Sequence, residues 1–134
     1  MSERVRVIED GIVLLDFSGI RDPDNHLYLN EEARRLVATQ GHGNALVLTD
    51  VTDSAFTESA VNSLRDLARD NKPYVLASAL VGLSALTRVV FRAVISLTGR
   101  EIRAFASRPE AVAWLLARRA TSRSSAAGAS PQKP

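Results

Sequence analysis

The chain contains no cysteine, one methionine, one tryptophan and only 5% aromatic residues. Without cysteine there is no disulfide framework, no thiolate zinc site and no thiol nucleophile. There are only two histidines, His26 and His42, and both are expected to be solvated loop residues that offer too few ligands for a metal centre. A long unbroken apolar run is also missing. The nearest approach, Tyr74 to Leu97, carries Arg88 and Arg92 and is interrupted by Gly82 and Ser84, so no membrane span is expected. Met1 to Asp10 alternates charged and apolar residues and holds no apolar core of a secretory signal, which makes a cytoplasmic location the expectation. A folded basic surface is lacking as well. The formal charge is +2 from 17 cations and 15 acids, but Arg118, Arg119, Arg123 and Lys133 stand in a stretch with no acid, leaving 13 cations against 15 acids, or −2, for residues 1–117. A nucleic-acid groove is therefore not expected.

What remains is 134 residues with 46% hydrophobic content, enough for one domain. Fifteen of the 17 cations are arginine, a usage that fits a GC-rich bacterial coding sequence. Residues 4–9 alternate and residues 12–17 are mostly apolar, with Asp10-Gly11 between them as a two-residue hairpin signal. Leu29, Ala33, Leu36 and Val37 recur at helical spacing over about residues 25–40. Ala45 to Thr49 reads as a buried strand. Thr57 suits the N-cap of a second helix with the apolar stripe Ala60, Val61, Leu64, Leu67 and Ala68, and Phe56 and Val61 are placed for a hydrophobic staple. Tyr74 to Leu80 predicts another strand, Ser84 to Thr98 a broadly apolar third helix, and Ile102 to Phe105 a last strand. Ser107-Arg108-Pro109-Glu110 is a capping box with proline in the first turn, opening the helix of Ala111, Trp114 and Leu115. The fold class is thus α/β, in the order ββαβαβαβα: a mixed sheet with an N-terminal hairpin, the last three strands parallel, and helices mainly on one face. The domain is expected over residues 1–119, and residues 120–134, rich in Ser, Ala and Pro, are expected to form a disordered basic tail.

Catalytic constellations are sparse. Asp22 and Asp24 flank a proline in a turn, and Trp114 is better explained by core packing than by cofactor stacking. The richest polar segment is Asp50 to Ser59, at the carboxyl end of a central strand and the start of the second helix, where open α/β sheets place ligands. Its candidate binding or regulatory residues are Asp50, Asp53, Ser54, Thr57, Glu58 and Ser59. No catalytic residue, metal ligand or cofactor is assigned.

Two local patterns within this order resemble the STAS domains of sulfate transporters and anti-sigma factor antagonists, and more closely their single-domain bacterial relatives, which are grouped with the CRAL-TRIO lipid-carrier fold. The resemblance spans about residues 3–118. One pattern is Ile102, Arg103, Phe105, Glu110, Ala111, Trp114 and Leu115, similar to the family's closing strand and helix. The other is the run from Leu46 to Ser59, similar to its third strand and regulatory loop. There the family carries Asp-Ser-Ser or Asp-Ser-Thr and then Gly, with the second hydroxyl phosphorylated by a partner kinase. Glu58 and Ser59 match in type, but Ala60 stands for the acceptor and Val61 for the glycine, which leaves Ser59, or Ser54 in a shifted alignment, as a weaker acceptor. The resemblance implies a non-enzymatic signalling module that docks a protein partner of kinase or regulator class through the start of the second helix. A homodimer stays open. So does a second function, carriage of a small apolar, lipid-like ligand against the third helix.

Overall fold

The structure, a computed structural model, describes residues 3–55, 57–85, 87–89, 91–92 and 102–129. Strands β1 (Val5–Val7) and β2 (Ile12–Asp16) are antiparallel, and Asp10 and Gly11 between them have φ of 63° and 75°. The connection is a three-residue 3-10 turn, Glu9–Gly11, closed by the Ile8 N–H donating to the Ile12 carbonyl at 2.8 Å, one residue longer than the two expected, and Asp10 and Gly11 tolerate its left-handed values. Helix α1 (Pro23–Ala38) starts where Asp22 accepts a hydrogen bond from the Asp24 N–H at 2.9 Å. Strand β3 (Ala45–Asp50) follows, then α2 (Glu58–Asn71), then β4 (Val75–Val81). The chain is helical again at residues 85, 87–89 and 91–92. Most of the apolar third helix expected over 84–98 lies outside the described residues, and so does Phe56 of the expected staple. Strand β5 (Ile102–Phe105) and helix α3 (Arg108–Ala129) complete the described chain.

The sheet order is β1-β2-β3-β4-β5. Strands β2 to β5 are all parallel, so four strands share one direction where three were expected. The difference lies in α1, which is itself a crossover between two parallel neighbours. Because each step advances the same way across the sheet, right-handed crossovers place the connecting helices on one face. There Val13, Leu15, Val47 and Leu80 of the sheet pack with Leu29, Ala33 and Val37 of α1 and Leu67 of α2, and Phe91 joins the same cluster. The opposite face is not bare. Helix α3 is no crossover and folds back over β3 and β4, where Ala111 and Leu115 meet Ile12, Leu14, Leu46, Leu48, Ala77 and Ala79. Alternate residues of β2 serve the two cores, as the two-residue period of a strand demands.

Helix α3 runs past residue 119, where composition places the end of the domain, to Ala129. A helix anchored by Ala111 and Leu115 needs no new nucleus, so Ala, Ser and Arg can extend it turn by turn. Among the described residues neither core cluster takes a side chain from beyond Leu116. No helix among the described residues is long and apolar enough to cross a membrane.

Candidate functional site

Asp16 and Asp50 end adjacent parallel strands in direct register. Each is followed two residues later by a hydroxyl that binds back to it. Asp16 Oδ1 accepts the N–H and Oγ–H of Ser18, and Asp50 Oδ1 accepts the N–H of Thr52 at 2.9 Å and its hydroxyl at 2.6 Å. Arg108, in the first turn of α3, then reaches both strands: its Nε donates to Asp50 Oδ2 at 2.7 Å and its Nη2 stands 3.4 Å from Asp16 Oδ1. Arg4 joins from the N-terminal side, 3.8 Å from Asp16 and donating to the Ser18 carbonyl at 2.8 Å. Burial pushes the Asp50 carboxyl up, but the hydroxyl and N–H of Thr52, with the hydrogen bond and charge of Arg108, outweigh it and hold the group below its ordinary value. Burial acts downward on the Arg108 guanidinium, and its pairing with Asp50 and the charge of Asp16 more than reverse this. Asp50 is therefore a carboxylate with both oxygens engaged. It ties the carboxyl end of the central strand to α3 and is not poised to take a proton at neutral pH.

The loop after β3 is strapped to the loop after β2. Gly19 N–H donates to the Thr52 carbonyl, Ala55 N–H to the Ile20 carbonyl, and Ser54 Oγ to the Phe17 carbonyl. Asp53 turns the chain at φ 56°, and Gly82 must be glycine because a Cβ there would lie 2.5 Å from the Thr52 nitrogen. Thr57 caps α2, accepting from the Ala60 N–H at 3.1 Å.

The six residues singled out from sequence thus fall into two groups. Asp50 belongs to the strand-end ion pairs and Ser54 to the strap between loops, whereas Thr57, Glu58 and Ser59 are exposed and line a cleft of about 800 Å³ between α1 and α2. Asp53 is exposed at the loop tip. Leu27, Asn30 and Arg34 form the α1 side of that cleft, and Leu27 is 47% exposed.

The expectation of solvated histidines is corrected for His26. It is fully buried in α1 and stacks on Phe17 with ring centroids 5.5 Å apart. Burial lowers its pKa, opposed by hydrogen bonds with the backbone of Ile20 and Ala55. His42 lies against Tyr74, 5.1 Å between centroids. Trp114 packs on Phe105 and carries the Arg103 guanidinium 5.3 Å from its ring centre. Among the described residues no group of three His, Asp or Glu side chains could hold a metal ion.

Sequence reasoning missed Asp16, Ser18, Asn30 and Arg108. For the first two a signal existed, since Asp16-Phe17-Ser18 and Asp50-Val51-Thr52 are the same strand-ending motif written twice. Arg108 was read only as part of a capping box, and nothing local says that its side chain crosses to Asp50, 58 residues away. No protein-family model, no curated protein and no solved structure matches this chain.

Proposed function

We propose that the chain is a non-catalytic cytoplasmic signalling module that docks a protein partner of kinase or regulator class through residues 51–57 and the first turn of α2, as the resemblance to STAS domains implies. The supporting observation is the cleft itself. Exposed Thr57, Glu58 and Ser59 face half-exposed Leu27 across about 800 Å³ of open space, whereas Asp50 and Ser54, the groups better suited to chemistry, are spent on internal bonds. An apolar contact beside a polar, hydrogen-bonding rim is the composition of a protein interface. Of the two candidate phosphate acceptors, Ser59 is exposed in the first helical turn, and Ser54 is half-buried with its hydroxyl engaged.

The test is photo-cross-linking in cells with a reactive amino acid placed at Ser59, at Leu27 or, on the opposite face, at Arg103. A single protein adduct formed at Ser59 and Leu27 and not at Arg103 is the expected outcome. Adducts confined to Arg103 would remove the docking surface from α2.

A further inference from the structure

The cleft between α1 and α2 contains a group that the fold itself leaves unanswered. Asn30 is only 2% exposed, and its Nδ2 donates to Ser63 Oγ across the helix interface. Its Oδ1 has no hydrogen-bond partner among the described residues. A buried amide oxygen without a donor is a standing cost that folded proteins rarely carry. Glu31, Glu58 and Asp66 line the cleft with one cation among the described lining residues, Arg34, and Asp66 is itself paired with Arg69 at 3.0 Å. Arg34 is already held between Glu31 and Asp70, the latter at 3.1 Å, so its charge is spent on joining the two helices. Glu58 has no ion pair among the described residues.

We propose that this cleft receives the guanidinium of an arginine presented by the partner segment, an inference that rests on the docking role proposed above. Depth and rim make the same demand. Among the described residues Asn30 Oδ1 meets no donor and Glu58 no cation, and one group supplies both. An anion would meet three carboxylates. A divalent metal would need a set of ligands that the described residues do not bring together. Thr57 already answers the Ala60 N–H, and Glu58 in the first turn offsets the positive end of α2, so the helix start does not repel a cation. A guanidinium fits better than an ammonium because its planar fork can give one N–H to the amide oxygen while others reach Glu58 and the Ser59 hydroxyl.

The experiment is a nitrogen-15 NMR titration of the full chain with N-acetylarginine methylamide, an arginine as a peptide presents it. The citrulline analogue serves as uncharged isostere, and free arginine as the metabolite form. Saturable shifts are expected at the Asn30 side-chain amide and at the Glu58, Ser59 and Asn62 backbone, with citrulline about tenfold weaker and Glu58→Gln, an exposed change that preserves the fold, weakening the arginine probe about fivefold. Equal binding of citrulline, insensitivity to Glu58→Gln, or shifts centred away from Asn30 would overturn the assignment. Tighter binding of free arginine than of the capped form would overturn a peptide source. A null titration combined with partner adducts at Ser59 and Leu27 would reject the arginine site while sparing the docking role. A saturable titration without such adducts would support the guanidinium site and reject the docking role.

Discussion

Asp16 and Asp50 begin the same three-residue phrase, Asp-x-Ser and Asp-x-Thr, at the ends of neighbouring strands, and one arginine serves both. Arg108 is 39% exposed while the Asp50 side chain is 9% exposed, so the pair lies between a surface bridge and a buried one. Arg108→Gln is therefore expected to cost about 1–2 kcal/mol in urea unfolding at pH 7. Because the folded-state pKa of Asp50 is depressed, its stabilisation is complete above the unfolded value of about 3.9 and is lost as pH falls through the folded value. Acid unfolding of Arg108→Gln should accordingly begin at a higher pH than in the parent. The same sign holds for His26, a base kept neutral by burial: stability is full above its unfolded pKa of about 6.5 and declines as pH falls toward the folded one. Urea midpoints measured from pH 7.5 to 5 should slope downward in the parent and run flatter in His26→Leu. On the exposed side, Ser59→Asp should change stability by no more than about 0.3–1 kcal/mol, so any larger change in partner capture in that variant, with Arg65→Glu on the same helix as control, would arise at the contact itself. None of these environments is written in local spacing. His26 reads as a loop residue until Phe17 is seen stacked against it, because burial comes from pairing segments that are distant in sequence.

The elements were far more legible than the side-chain partnerships. Asp10-Gly11, Thr57 and Ser107 each announce a turn or helix start through short-range chemistry, and each does that task in the fold. The side of the sheet on which the last helix lies was not legible, because residues 108–116 form an apolar stripe that would suit either face. Only the sequential strand order, which sends the crossovers one way, leaves the other face for α3. Leu115 is fully buried there, and Leu115→Ala should cost about 2–5 kcal/mol. Deleting residues 121–134 should shift the melting temperature by no more than a few degrees, since the described core ends at Leu116. Differential scanning calorimetry of the two variants separates the anchored turns of α3 from its extension.

At the level of the whole molecule, every strand pairs with the strand before it in the chain, so each new segment finds its template already made. Arg108 breaks that local pattern. It arrives with the final helix and reaches back to two strand ends laid down much earlier. A chain emerging from the ribosome and stopped before residue 107 would hold Asp16 and Asp50 side by side without Arg108, and would leave the Ile12, Leu14, Leu46 and Leu48 face without a cover. Such a fragment should expose apolar surface to a hydrophobic dye and regain protection when a peptide of residues 107–123 is added in trans. Without α3 the two carboxylates stay on adjacent strand ends with no Arg108 between them and the uncovered sheet face is open to proteolysis, whereas docking of the helix closes both at once.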